Sequence, residues 1–439
     1  MSFSSKSHRT RSGSLLLFSI AMALCAVVPA IAEAKHDGNG IRLKFHFQQT
    51  LIDQANNNFR SPYAGKNSFL SKEPPAMSLL SNFKFNLSLP DQFSVYFNPD
   101  LAGGKALSNT LGLAAFPNGD IYRVAAPTPV FSSGEIYLKK TFSLSGTPYS
   151  TNGTRLSIIA GKFCLADFFD RNEYSNDPNT QFMNWALMNN GAWDYAADTR
   201  GYIPGFVAEY LSPIFTLRFA ATMQTGSANG PRFDPNIAKA HSFNLQGGYA
   251  YSLEGLPGKV RLLLYYNTGH FGNYAQATND PQYHHNIALT RQYGRTKVGL
   301  GVNIQQSLCR NAGLFARIGW NDGQNESWSY TEIDRTVSVG ILTKPHLFGR
   351  RHDTFGIGAA VDGISKAHRD YLASGGYGFI IGDGKLPQYG PEELLETFYK
   401  FQFNKMLALS ADYQYIVNPA YNPQRGPVNV FGLRAHVSL

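Results

Sequence analysis

The feature that most constrains this chain is a period-two alternation of apolar and polar residues that recurs along nearly its whole length. Ile41, Leu43, Phe45 and Phe47 alternate with Arg42, Lys44, His46 and Gln48. Val298, Leu300, Val302 and Ile304 alternate with Lys297, Gly299, Gly301, Asn303 and Gln305, and Phe431, Leu433, Ala435, Val437 and Leu439 close the chain in the same way. A period of two marks a strand whose two faces meet different surroundings. Sixteen such segments are predicted, near 41–52, 78–89, 92–98, 134–144, 153–162, 204–211, 213–222, 239–252, 259–268, 295–308, 310–321, 335–344, 354–362, 394–404, 406–416 and 427–439.

The links between segments carry as much information. Pro90-Asp91, Ser212-Pro213 and Glu254-Gly255-Leu256-Pro257-Gly258 are tight turns of Gly, Pro, Asp and Ser type, as are the junctions near Cys309 and Lys405. Between them lie longer connections such as 53–77, 99–133, 163–203, 269–294 and 363–393, so short and long links alternate from one end to the other. A soluble sandwich or propeller has no reason to do this, and no blade-length repeat is found. A transmembrane outer-membrane barrel does, because its periplasmic turns are short and its outer loops long. The fold class predicted is therefore all-β: a 16-stranded antiparallel barrel with long outer loops. Composition agrees, with only 16% charged residues but 31 Phe and 24 Tyr. Beyond the N-terminus no apolar run approaches the roughly 20 residues of a spanning helix.

Residues 1–34 have the grammar of a secretory signal peptide. Lys6, Arg9 and Arg11 precede an apolar stretch at 15–28, and Ala32-Glu33-Ala34 offers a small-residue cleavage site. The barrel domain is then 35–439, with no room for a further N-terminal domain. Only Cys164 and Cys309 remain, which is neither a disulfide framework nor a zinc pattern.

If the apolar face meets lipid, the other face lines a lumen. That face receives Arg42, Lys44, Lys84, Lys139, Arg218, Arg261, Lys297, Arg317, Lys400 and Arg434, against fewer acids at Glu135, Glu209, Glu396 and Asp412. A mostly cationic wall suits polar or weakly anionic solutes, and equally it only keeps a pore wet. The longest loop, 163–203, combines Asp167, Asp170, Asp194, Asp198, Arg171 and Arg200 with Trp185, Trp193 and several Phe and Tyr. Carboxylates and guanidinium groups bond sugar hydroxyls, and aromatic faces stack on the C–H face of a pyranose. Asp170, Arg171 and Arg200 read as functional. Met183, Trp185, Leu187 and Met188 read first as groups docking the loop, with a short helix expected inside 180–189. The Arg60-Ser61-Pro62-Tyr63 run, with Asn67 nearby, is no more than a turn on its own.

No G-x-S-x-G, H-E-x-x-H or G-x-x-x-x-G-K motif is present, and no cofactor, nucleotide or metal is implied. A pI of 9.2 does not point to nucleic acid, because the positive charges alternate along strands. Two readings compete with a pore: glycan hydrolysis by loop carboxylates such as Asp170 and Asp194, and adhesion through the long loops. A general, non-selective porin is a third.

Several segments carry a resemblance. FRSPYAG (59–65), YFNPDLAGGKALSNTLGLAAFPNGDIYR (96–123), DFFDRNEYSNDPNTQFMNWALMNNGAWDYAADTRGY (167–202) and NPAYNPQRGPVNVFGLRAHVSL (418–439) resemble the carbohydrate-selective porins of the OprB family of Gram-negative bacteria. The resemblance implies a sixteen-stranded outer-membrane barrel passing sugars by diffusion, commonly as a trimer, and seated in the lipid bilayer by the barrel-assembly machinery. It implies that the loop after the fifth strand narrows the channel, with matching residue types here at Asp170, Arg171, Trp185, Trp193, Asp194, Asp198 and Arg200. One departure is the terminal Leu439, where such barrels commonly end in an aromatic residue.

Overall fold

The computed structural model describes residues 40–121, 128–145, 153–345 and 349–439; the predicted leader at 1–34 lies outside them. The chain forms β1 (Arg42–Asn56), β2 (Ala76–Leu89), β3 (Phe93–Gly104), β4 (Val130–Ser143), β5 (Arg155–Phe163), β6 (Ile203–Leu211), β7 (Phe215–Met223) and β8 (His241–Leu253). It continues through β9 (Leu256–Phe271), β10 (Gln292–Cys309), β11 (Ala312–Asn321), β12 (Arg335–Thr343), β13 (Thr354–Gly363), β14 (Glu392–Gln402), β15 (Leu407–Val417) and β16 (Val428–Ser438). Each strand pairs antiparallel with its neighbours in sequence, and β1 pairs with β16, so the sheet closes without an edge. The non-aromatic end still joins this seam: the Leu439 amide donates to the Phe47 carbonyl at 2.8 Å.

Most strand ends lie within a few residues of the alternation pattern. The largest difference is at β3, which runs to Gly104 instead of ending at 98, while β4 begins at Val130. A register shift between Asn98 and Asp100 accommodates Pro99, which has no amide to donate, and pairing resumes beyond it.

The outward row is apolar and open: Phe215 is 56% exposed and Leu433 65%. In water so large an apolar surface is untenable; against lipid it costs nothing. The inward row holds the polar residues, but much of the lumen is packed instead of wet. Phe182, in the loop after β5, meets Phe315 of β11 at 5.2 Å and Phe398 of β14 at 5.1 Å, both edge-on. The core of the molecule is this loop-filled interior, where the alternation alone implied mainly water. Among the described residues, three short α-helices sit in loops: α1 (Trp185–Met188), α2 (Tyr274–Asn279) and α3 (Lys366–Ala373). Tyr274 of α2 stacks on His368 of α3 at 4.1 Å.

The Arg60–Tyr63 run fastens loops to each other. Gly426 donates to the Arg60 carbonyl at 2.9 Å, Arg425 to the Tyr63 carbonyl, and Asn422 to the Tyr63 hydroxyl at 3.0 Å.

Candidate functional site

The connection between β5 and β6 turns into the barrel and lies across its inner wall. Buried backbone there needs partners, and side chains of the wall supply them. Glu396 of β14 accepts from the amides of Met183 at 2.6 Å and Asn184 at 3.0 Å. Arg434 of β16 donates to the carbonyls of Pro178 at 2.5 Å and Gln181 at 2.8 Å. Arg317 of β11 donates to the carbonyls of Ser175 and Leu187 at 2.5 and 2.7 Å, and its Nε reaches Asp170 Oδ2 at 2.9 Å. Space is made as well as bonds: a Cβ at Gly319 would fall 2.0 Å from Asn190 Oδ1, and one at Gly313 2.0 Å from the Tyr174 ring. These contacts explain why α1 is shorter than the 180–189 expectation. The amides of Met183 and Asn184 are drawn to Glu396, and Asn184 caps the helix by accepting from Ala186.

The loop leaves open a passage beside β1–β4. Its upper cavity, about 600 Å³, is lined by Asn82, Asn179, Trp185, Arg200, Tyr202 and Tyr330, among others. Its lower cavity, about 380 Å³, lies toward the short turns, where Lys44, His46, Asn86 and Tyr96 line it. Five residues line both: Lys84, Asn98, Glu135, Asp167 and Arg171. They mark the neck between the two. In the upper cavity Trp185 stacks on Tyr330 at 4.5 Å and 17°, and Tyr195 lies 5.3 Å from Tyr330.

The structure divides the seven loop residues singled out from the sequence. Arg171, Trp185 and Arg200 line the passage. Asp170 does not: it is 2% exposed, held by Arg317, the Asn190 amide at 2.8 Å and Asn303 at 2.7 Å. Trp193 donates its indole N–H to Asn244 at 2.9 Å inside the packed interior. Asp194 accepts from the amides of Trp328 and Ser329 and pairs with Lys297 at 3.1 Å; burial pushes its carboxyl up despite these partners. Asp198 accepts from the amides of Arg200 at 2.9 Å and Tyr202 at 3.1 Å, which turns both side chains toward Asp100. Arg200 then pairs with Asp100 at 2.6 Å and the Tyr202 hydroxyl donates to it at 2.8 Å.

The wall cations divide likewise. Arg218 pairs with Glu209 at 2.6 Å and Lys139 reaches the same carboxylate at 3.6 Å. Arg261 donates to Gln305 at 2.9 Å, and Lys297, Arg317 and Arg434 are almost fully buried by the loops they hold. Lys44 and Lys84 line the passage, and Arg42 is exposed at the start of β1. Sequence reasoning missed Asn98, Asn179, Tyr202 and Tyr330 as lining groups; only a loop's path through space brings them there. Burial would raise the Asp177 carboxyl, but the Thr180 hydroxyl and the Asn179 amides hold it below its ordinary value, a turn that shapes this rim.

Comparison with known proteins agrees with this architecture. The family model described as carbohydrate-selective porin, OprB family, matches residues 82–439. Porin AaxA of Chlamydia pneumoniae is 25% identical over 371 residues, covering 82% of this chain and 73% of that protein. Its counterpart in Chlamydia caviae is 24% identical, covering 69% of this chain, which spans only 59% of that protein's length. Among solved structures, Pseudomonas putida OprB at high pH superposes with a TM-score of 0.67 at 17% identity, covering 91% of this chain and 94% of that one. The outer-membrane channel DcaP of Acinetobacter baumannii gives 0.52 at 11% identity, covering 93% and 100%. With a closed sixteen-stranded barrel, an apolar belt and a family match over most of its length, the chain belongs to the OprB family of carbohydrate-selective porins of the outer membrane.

Proposed function

We propose that sugars cross the outer membrane down their own gradient through the passage beside β1–β4. One observation carries this reading: the Trp185–Tyr330 stack shares a cavity with Asn82, Asn179, Arg200 and Tyr202. An aromatic platform opposite amide, hydroxyl and guanidinium groups offers a pyranose both a face to lie on and partners for its hydroxyls. A volume near 600 Å³ is in the range of small-molecule sites, about 300–1,000 Å³. Each water lost from the sugar is replaced by a wall group, and no contact is strong enough to trap it.

The two carboxylates named for the hydrolase alternative are not placed to meet substrate: Asp170 and Asp194 line neither cavity and are committed to Arg317 and Lys297. We therefore read the protein as a channel without catalysis. We also propose removal of the leader near Ala34, insertion by the barrel-assembly machinery and a trimeric assembly, the last on the family resemblance. The test is single-channel conductance in planar bilayers with added glucose. Glucose lowers the wild-type current, and the block weakens severalfold in Trp185→Ala while Trp185→Phe retains most of it. A current indifferent to every sugar tested would leave a general porin.

A further inference from the structure

The wall that looks cationic in the sequence is mostly spent on structure. Arg218, Lys139, Arg261, Lys297, Arg317 and Arg434 each have a carboxylate, an amide or a loop carbonyl as partner. In the upper cavity Arg200 is paired with Asp100. Of the Lys and Arg side chains that line the two cavities, the other three are Lys44, Lys84 and Arg171. Among the described residues, no ion pair includes Lys44, Lys84 or Arg171. Among the described residues, the hydrogen bond that Arg171 makes is a long one, to the Asp167 carbonyl at 3.5 Å.

These three are not scattered. All line the lower cavity, and Lys84 and Arg171 also line the upper one, so they stand at the neck. Lys84 is opposite His46 in the β1–β2 ladder, and Lys44 is the next inward residue of β1 toward the short turns. The side chains of Lys44 and Lys84 are exposed to the lumen rather than packed. The neck also holds two acids, of which Glu135 is committed. Glu135 accepts from Asn98 at 2.7 Å and from the Cys164 amide at 3.0 Å, with Asp167 beside it. Unpaired ammonium and guanidinium donors in a narrow cavity concentrate anions there, because low-dielectric walls focus their field.

We propose that the lower cavity is a binding site for the anionic group of acidic sugars, with Lys44, Lys84 and Arg171 receiving a carboxylate or phosphate. This rests on the passage being the solute route, and it adds that the channel serves sugar acids or sugar phosphates as well as neutral sugars. The aromatic upper cavity would hold the ring, and the cationic neck would draw the charged end through.

The test uses the full chain in planar bilayers. Under a potassium chloride gradient the wild type prefers chloride, and Lys84→Gln/Arg171→Gln lowers the chloride-to-potassium permeability ratio at least twofold. Lys84→Glu carries it toward potassium, and Lys44→Gln gives a smaller change in the direction of the double variant. Glucuronate and glucose 6-phosphate, probed separately, each block at concentrations several times lower than glucose, and this advantage disappears in the double variant. Block by one anion and not the other assigns the site to carboxylate or to phosphate. A heat-modifiable gel shift checks that each variant has folded. A wild-type preference for potassium, or a permeability ratio unmoved by the double variant, overturns the proposal. Glucose block of the wild type is read separately: if it is present while neither anion gains an advantage, the anion site fails and the sugar channel stands.

Discussion

Removing the Asp170 carboxylate should loosen the constriction without opening the barrel. In Asp170→Ala, buried Arg317 loses its carboxylate partner, at 2.9 Å, and the Asn190 amide and Asn303 lose acceptors. Breaking a buried pair by deleting one partner typically costs about 3–5 kcal/mol. Arg317 keeps the carbonyls of Ser175, Leu187 and Met188, which places the cost near the lower end. A loss of about 3 kcal/mol raises the population of loop-detached states roughly a hundredfold. The strand ladders do not pass through Asp170, so the barrel should keep its heat-modifiable migration. The assay is single-channel recording: open-channel noise and mean conductance both rise, and glucose block weakens. Asp170→Asn, which still offers an acceptor to the amides, gives a smaller change in the same direction. Wild-type conductance, noise and glucose block in Asp170→Ala would refute the assignment of this pair as the anchor of the loop.

Two further predictions concern the turns and the thiols. At the short-turn end, burial would raise the Asp353 carboxyl, but bonds from Arg350, Tyr399 and the Gln402 amide hold it down, to about 2. A depressed carboxyl stabilises the fold above its unfolded value near 4, and that contribution is lost as pH falls through about 2. Hydrogen exchange at the Gln402 amide should accelerate over that window. Asp353→Asn should already exchange faster at pH 5; equal protection in both proteins would sink the idea. Cys309 is exposed at a short turn, whereas Cys164 lines the upper cavity and burial pushes its thiol well up. A charged thiol reagent should label Cys309 quickly and Cys164 slowly, because thiolate is the reactive form. Comparable rates would contradict the placement of Cys164.

The alternation of apolar and polar residues was enough to specify the barrel, because a strand's two faces are a local property. Val298 and Leu300 on one face and Lys297 on the other are assigned by parity alone. Strand ends were legible for the same reason, except at β3, where the shift around Pro99 extends the pairing. The loop after β5 was legible as a special segment by its composition, and Arg171, Trp185 and Arg200 do line the passage. What composition could not separate was Asp170 from Arg171, neighbours of opposite fate: one is sealed under Arg317, the other faces the neck.

That difference belongs to the tertiary structure, since it depends on groups far away in sequence. Arg434 meets the Pro178 carbonyl and Glu396 meets the Met183 amide only because the loop crosses to the far wall. Parity says that a cation points inward; it says nothing of whether a backbone carbonyl will be there to receive it. Once the loop is in place, its buried amides and carbonyls must be satisfied, and they take most of the inward Arg, Lys and Glu. The sequence thus determined which residues face the lumen. Only the packed loop decided which of them bear the fold and which are left lining the cavities.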